Sequence, residues 1–108
     1  MRDEIPPGTL YMLILRVLSR GGELHGFEIA KAIETLSEDV LRVEEGSLYP
    51  ALQRLEQRGW IESDWQTTEN NRRAKYYQLT ASGRRAVGAE TANWRRYVEA
   101  VELILDIA

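Results

Sequence analysis

The chain has 108 residues, of which 44 % are hydrophobic and 29 % charged, and its formal net charge is −3. This length supports one small domain with a single modest core, and the composition is that of a globular protein. The sequence contains no cysteine, which excludes disulfides and thiolate metal sites and favours an intracellular location.

Nothing in the sequence predicts a membrane partner. The longest apolar run, residues 10–15, is too short to cross a bilayer. Near the start, Asp3 and Glu4 precede Pro6 and Pro7, which does not resemble a signal peptide. We therefore expect a cytoplasmic protein.

The charge is unevenly distributed along the chain. Residues 47–85 contain seven basic and four acidic side chains, a net charge of +3, whereas the rest of the chain carries −6. A basic segment attracts phosphates locally even when the whole protein is acidic. The net charge alone argues against a nucleic-acid partner, but its distribution argues for one.

The first part of the sequence predicts two helices. Residues 9–19 place apolar side chains at helical spacing, and a Gly-Gly pair ends the pattern. Tyr11 and Leu15 widen the apolar surface beyond what a small core requires, so we expect both at a contact with a second chain. A second helix is predicted over residues 24–36.

The only histidine, His25, lies where the second helix is expected to begin. A proton switch and a metal ligand are the functional alternatives for a histidine. A metal site would need further His or Cys ligands, and the sequence has none. We expect a structural role, with the ring bonded to nearby backbone, and we predict no metal and no other cofactor.

A third helix is predicted between Ser47 and Gly59. Ser47 is a suitable N-cap, Pro50 would fall in the first turn, where its missing N–H costs nothing, and Gly59 would end the helix in a left-handed conformation. Apolar residues recur on one face. The opposite face suits a DNA major groove, although it would also suit simple solvation. That face carries Tyr49, Pro50, Gln53, Arg54 and Gln57.

After Gly59 the helical spacing ends. Two aromatic-rich stretches, residues 60–67 and 74–79, surround a polar tip in which Asn70 and Asn71 tolerate positive φ. We predict a two-stranded hairpin with basic residues at and just after its tip. Such a hairpin is barely stable alone and must lie on the helices. Three helices followed by a basic hairpin indicate a winged helix-turn-helix that binds DNA.

The last helix is predicted over residues 81–108, with Thr80 in its capping segment. Its apolar residues recur at steps of three, four and seven, like the seam of a coiled coil. The seam comprises Val87, Trp94, Tyr97, Val98, Val101, Ile104, Leu105 and Ala108. A small domain cannot bury so long a seam, so we expect pairing with the same helix of a second chain. The alternative is packing against the first helix of the same chain.

The predicted fold class is therefore mainly α with a small β-hairpin. Residues 1–79 would form a winged helix-turn-helix DNA-binding domain, and residues 80–108 a C-terminal dimerisation helix.

Three ordered motifs resemble the PadR family of bacterial and archaeal transcriptional regulators. Residues 24–29 (Leu-His-Gly-Phe-Glu-Ile) resemble the family's His-Gly-Tyr-Glu-Ile segment. Residues 46–59 resemble its Gly-Thr/Ser-Leu-Tyr-Pro run with the following Leu-Glu and Gly. Residues 73–83 resemble its Arg-Lys-Tyr-Tyr-x-Leu-Thr-x-x-Gly wing. The resemblance covers about residues 8–90, and the single C-terminal helix is similar to the short subfamily.

This resemblance implies a homodimeric regulator, usually a repressor, that binds a pseudo-palindromic operator in double-stranded DNA. The implied DNA-binding residues are Ser47, Tyr49, Pro50, Gln53, Arg54, Arg72, Arg73 and Lys75. The seam and the resemblance together give a dimer interface of Tyr11, Leu15, Trp94, Tyr97, Val98, Val101, Ile104 and Leu105. Asn71 and Ala74 depart from the family pattern, in which glycine and a basic residue are frequent at these positions.

Some members of the short subfamily bind planar aromatic molecules between tryptophans of the last helix. The resemblance therefore implies that Trp94 either stacks on a small planar aromatic effector or only fills the dimer interface.

An enzyme is not expected, because the sequence has no His–carboxylate constellation, phosphate loop or His-Glu-x-x-His motif. The alternative to a DNA-binding regulator is a winged-helix module that binds protein, and the acidic net charge keeps that alternative open.

Overall fold

The computed structural model describes residues 5–107 and contains four α-helices and a three-stranded antiparallel sheet within that range. In chain order the elements are α1 (Pro7–Gly21), β1 (Leu24–His25), α2 (Gly26–Leu36), α3 (Glu45–Gln57), β2 (Ile61–Thr67), β3 (Arg73–Leu79) and α4 (Ala81–Leu105). The strand order is β1-β3-β2. This arrangement of helices with a β-hairpin wing confirms the predicted fold class.

One hydrophobic core joins the first three helices to the base of the sheet. Its largest fully buried side chains are Ile14, Leu15, Leu18, Ile29, Leu52 and Leu55. Burial of each of these side chains stabilises the folded state by about 1.5–3 kcal/mol, because its apolar surface is removed from water. Leu15 is only 1 % exposed, so its predicted place at a dimer interface is wrong. Helical spacing cannot show how wide the buried stripe is, and here Leu15 lies within it.

The start of α3 differs from the prediction. Glu44, not Ser47, occupies the N-cap position, and the N–H of Leu48 donates to the Glu44 carbonyl at 2.9 Å to close the first turn. A tertiary contact fixes the chain just before the helix, because the N–H of Val43 donates to Glu34 Oε2 at 3.2 Å. Ser47 therefore lies inside the first turn.

Because α3 begins early, Pro50 is its sixth residue and lies in the helix interior. The prediction that its missing N–H costs nothing is wrong, since the carbonyl of Gly46 loses its usual donor four residues on. The predicted end is confirmed: Gly59 has φ +76°. The N–H groups of Gly59 and Trp60 donate to the carbonyls of Glu56 and Leu55 at 2.9 and 3.1 Å, which is a Schellman ending.

The strand β1 was missed by the sequence patterns, which predicted a helix from residue 24 and a two-stranded hairpin. Leu24 and His25 instead pair with Tyr77 and Tyr76 of β3. Two residues are too few to produce an alternating pattern. His25 then caps α2, because the Glu28 N–H donates to His25 Nδ1 at 3.3 Å and the His25 N–H donates to Glu28 Oε1 at 3.1 Å. The ring thus has the structural role that we expected.

The helix α4 begins inside the body of the protein and ends outside it. Thr80 caps the helix, and Ala86 and Val87 are buried in the core. Val87 is therefore a core residue and not part of an exposed seam. The 25 residues of α4 extend about 37 Å, and the molecule measures 58 × 34 × 21 Å. The predicted seam residue Ala108 lies outside the described residues.

Candidate nucleic-acid interface

The outer face of α3 is exposed, as its amphipathic pattern predicts. Leu48, Ala51, Leu52 and Leu55 are buried against the core. The predicted DNA-binding residues on this helix all lie on the surface, and they are Ser47, Tyr49, Pro50, Gln53 and Arg54. The early start adds Glu45 and Gly46 to the same exposed end of the helix. The inner face thus anchors α3 and leaves its polar face free.

Tyr49 lies against the beginning of α2. A Cβ atom placed on Gly26 would come within 2.9 Å of the Tyr49 hydroxyl oxygen, so a larger residue there would displace this ring from its position. The tyrosine nevertheless remains 48 % exposed. The motif glycine of α2 and the motif tyrosine of α3 therefore form one contact that positions an aromatic side chain at the surface.

The wing is formed by β2, β3 and the turn between them. The Thr68 N–H donates to the Arg72 carbonyl at 2.7 Å, and the Asn71 N–H donates to the Thr68 carbonyl at 2.9 Å. Asn71 has φ +59° and so adopts the left-handed conformation for which glycine is frequent. The departure from the family pattern at Asn71 therefore leaves the turn intact. Arg72 and Arg73 are exposed beside it.

Two wing cations have different surroundings. The Arg73 guanidinium lies 5.6 Å from the centre of the Trp65 ring, and Trp65 itself is 58 % exposed. This stacking orients the guanidinium and leaves its N–H groups available. Lys75, in contrast, makes an ion pair with Glu56 of α3, with 3.5 Å between Nζ and Oε1. The structure thus brings Lys75 to a carboxylate.

A groove of about 1090 Å³ separates α3 from the wing, and the start of α2 closes one end. Tyr49, Gln53, Arg72, Arg73 and Lys75 are predicted site residues that line it. Sequence reasoning missed further aromatic lining residues, which are Phe27, Trp65 and Tyr76. The only signal for them was their type, because a strand pattern does not show which face a wing residue occupies. Acidic residues also line the groove, namely Glu28, Glu56 and Glu69.

The two tyrosines of β3 are held in their neutral forms. Burial, and then the negative charge of Glu56, raise the pKa of Tyr77. Desolvation, and then the charge of Glu28, raise the pKa of Tyr76, whose ring also meets His25 edge-on at 5.2 Å. Both hydroxyls are neutral at neutral pH, as an unperturbed tyrosine also is, and the raised pKa values extend this to more alkaline pH.

A second surface lies on the part of α4 that leaves the body. We call it the tail surface, and it consists of Trp94, Tyr97, Val98, Val101, Ile104 and Leu105. Exposure reaches 67 % for Tyr97 and 74 % for Leu105. Leu103 is 75 % exposed and was not predicted, since it lies on the opposite side of the helix. Tyr11, which was predicted at the dimer interface, is half-buried, and the guanidinium of Arg58 lies 5.4 Å from the centre of its ring.

No group of three or more His, Asp or Glu side chains among residues 5–107 could hold a metal ion. None of the described helices is long and apolar enough to cross a membrane.

Comparisons with known proteins agree on one group. The sequence model of the transcriptional regulator PadR-like family matches residues 14–89. A crystal structure of a PadR family transcriptional regulator from Eggerthella lenta is 30 % identical, with a TM-score of 0.77 over 94 % of this chain and 85 % of that one. A PadR-like transcription factor from Bacteroides fragilis is 31 % identical, with a TM-score of 0.70 over 91 % of each chain.

A curated relative extends the similarity to almost the full length of both proteins. An uncharacterised protein from Lysinibacillus sphaericus is 26 % identical over 106 residues, which are 98 % of this chain and 96 % of that one.

Proposed function

Because the chain belongs to the PadR-like family of transcriptional regulators, we propose that it regulates transcription by binding double-stranded DNA as a homodimer. In this proposal α3 enters the major groove, and the wing contacts the neighbouring phosphates. The observation that supports it best is the groove between α3 and the wing, at which Gln53, Arg72 and Arg73 are exposed together. Membership of a family of transcriptional regulators also argues against an enzymatic function for this chain.

The proposed homodimer explains the tail surface. Large apolar side chains stand exposed along one side of α4, and a second copy of the same helix would cover them. A two-fold dimer would place two α3 helices on one face of the duplex, about 34 Å apart. Its operator would therefore be a pseudo-palindrome with half-sites one helical turn apart.

The proposed action is repression in the cytoplasm, where the dimer would occupy an operator and exclude the transcription machinery. The resemblance of the motifs to those of PadR repressors supports this direction. A planar aromatic effector that stacks on Trp94 would relieve repression by altering the dimer. Trp94 is 41 % exposed in one chain and is thus accessible for either role, effector contact or dimer contact.

The DNA-binding proposal can be tested by selecting bound sequences from a random pool of duplexes. The wild-type protein should return a palindrome. Gln53→Ala should change the base preference within each half-site, because glutamine can bond an adenine edge in two places. Gln78→Ala is a matched control, since Gln78 lies on the wing and bonds Glu62 at 3.1 Å.

A protein that returns no palindrome and passes over double-stranded DNA at low salt would contradict DNA binding. That result would favour the alternative of a winged-helix module that binds protein.

The dimer can be tested by sedimentation at micromolar concentrations. Replacing Ile104 and Leu105 together by Glu should give monomers, because burying two unpaired carboxylates in each chain is costly. The same variant should bind the operator weakly, since a monomer carries only one α3 helix and can contact only one half-site. Glu99→Gln on the polar side of α4 should remain dimeric. A wild-type chain that is monomeric would contradict the proposal.

The effector can be tested by fluorescence. A variant with Trp60→Phe and Trp65→Phe retains Trp94 as its only tryptophan. Titration with a flat aromatic cation should quench that emission and weaken operator binding if Trp94 holds an effector. Unchanged emission would assign Trp94 to the dimer contact alone.

A further inference from the structure

The carboxylate of Glu56 in α3 accepts hydrogen bonds from both strands of the wing. Ser63 Oγ of β2 donates to Glu56 Oε2 at 2.8 Å, and Lys75 Nζ of β3 donates to Glu56 Oε1 at 3.5 Å. The side chains of Lys75 and Glu56 are 41 % and 30 % exposed. Both oxygens of Glu56 are therefore engaged inside the groove that faces the proposed DNA.

The other two wing cations have no such partner. Among residues 5–107, neither Arg72 nor Arg73 makes an ion pair. Arg73 lies over Trp65, which leaves its charge uncancelled. Arg72 and Arg73 therefore keep their positive charges at the groove, whereas Lys75 and Glu56 form a neutralised pair there.

The charge of Glu56 also acts on Tyr77. Burial raises the pKa of the Tyr77 hydroxyl, and the Glu56 carboxylate raises it further. The Glu56 carboxylate and Tyr77 both line the groove between the wing and α3.

Charge balance decides what Lys75 contributes to DNA binding. If Lys75 stays with Glu56, its charge is cancelled where it lies. If Lys75 turns to a phosphate, the Glu56 carboxylate is left beside the same phosphates and repels them. In both cases the pair adds almost nothing to the counterion release that gives DNA binding its salt dependence.

We propose that Glu56 is an affinity-setting residue that cancels Lys75, so that Arg72 and Arg73 are the only wing residues that contribute net phosphate attraction. This inference rests on the proposed DNA binding. The sequence assigned all three cations the same role, because the carboxylate that separates them lies 19 positions from Lys75. Since phosphate attraction is independent of base sequence, Glu56 keeps binding to arbitrary DNA weak.

The test is the salt dependence of binding to a mixed-sequence duplex, which requires no knowledge of the operator. In Glu56→Gln the amide oxygen can still accept from Ser63, but Lys75 is freed. The slope of log K against log salt should steepen by about 0.9, so that affinity falls about 3.5-fold more between 50 and 200 mM salt. The double variant Glu56→Gln/Lys75→Met should return to the wild-type slope.

Ser63→Ala provides a matched control, because it removes a hydrogen bond to Glu56 without changing the charge. Its slope should equal that of the wild type. A melting temperature for each variant verifies that the wing is folded.

Two outcomes would overturn the inference. If Lys75 already contacts a phosphate despite Glu56, then Glu56→Gln leaves the slope unchanged and the double variant lowers it by about 0.9. That result overturns this inference alone. If neither the wild type nor Glu56→Gln binds any duplex at low salt, the proposed function fails and this inference with it.

Discussion

The winged-helix body buries its large apolar side chains, whereas the outer part of α4 exposes them. In the body, leucines such as Leu52 and Leu55 are at most 1 % exposed. Along the tail surface, Ile104 and Leu105 are 68 % and 74 % exposed. Both regions are regular secondary structure built from similar residue types. The difference therefore lies in what surrounds each helix, not in its local sequence preferences.

This difference separates the part of the sequence that specifies the fold of one chain from the part that would specify the proposed dimer. The body closes its core within one chain, since buried side chains from all four helices and the sheet form one hydrophobic cluster. Helix α1 packs against α4, and Val98 and Val101 are half-buried, but Ile104 and Leu105 stay exposed and would be covered by a second copy of α4 in the proposed dimer. Val87 is the last buried apolar side chain of α4 and Trp94 the first large exposed one, so we place the boundary between body and tail between these two residues.

The largest expected difference between the regions is in the cost of removing a leucine. Leu55→Ala should destabilise the body by about 2–5 kcal/mol, because a fully buried side chain leaves a cavity. Its effect should not depend on protein concentration. Chemical denaturation at two protein concentrations measures this.

Leu105→Ala is the matched change in the tail. It should alter the folding free energy of a single chain by less than about 0.5 kcal/mol and raise the dissociation constant of the proposed dimer by at least about tenfold. Equal, concentration-independent losses in both variants would contradict the distinction between body and tail.

The second expected effect concerns two glycines of α4 on either side of the boundary. A Cβ atom on Gly83 would clash with the carbonyl oxygen of Trp60, whereas one on Gly88 meets nothing within 4 Å. Gly83→Ala should therefore cost about 2 kcal/mol, or about 10 °C in melting temperature. Gly88→Ala should stabilise by up to about 1 kcal/mol, because alanine is the better helix former.

Thermal unfolding followed by circular dichroism measures both changes. A Gly83→Ala variant as stable as the wild type would mean that α4 does not begin pressed against the backbone after α3.

Most of the body was predictable because its signals are local. Helical spacing located all four helices, Gly59 and Thr80 marked an end and a beginning, and Asn71 marked the wing turn. The errors occurred where contacts with residues distant in the sequence determine the local structure. The hydrogen bond from the Val43 N–H to Glu34 fixes the chain just before α3, and the helix begins at Glu45 and not after Ser47. The strand β1 exists only because β3 lies beside it.

The candidate site was predicted in part for the same reason. The exposed face of α3 follows from its own periodicity, so the exposure of Gln53 and Arg54 could be predicted. The pairing of Lys75 with Glu56 and the burial of Leu15 depend on how separate elements meet. A single sequence carries no local signal for such contacts.

The smallest expected effect concerns Thr80, which joins the body to α4. Its hydroxyl donates to the Gly59 carbonyl at 2.6 Å and accepts from the Gly83 N–H at 3.0 Å, so it ties the end of α3 to the first turn of α4. Thr80→Ala should cost about 1 kcal/mol, as loss of an N-cap usually does, and Thr80→Ser should restore most of it. Faster amide exchange should be confined to the first turn of α4, with the tail surface unaffected. If exchange instead rose along the whole of α4, the helix would act as one unit, and the boundary between body and tail would not lie within it.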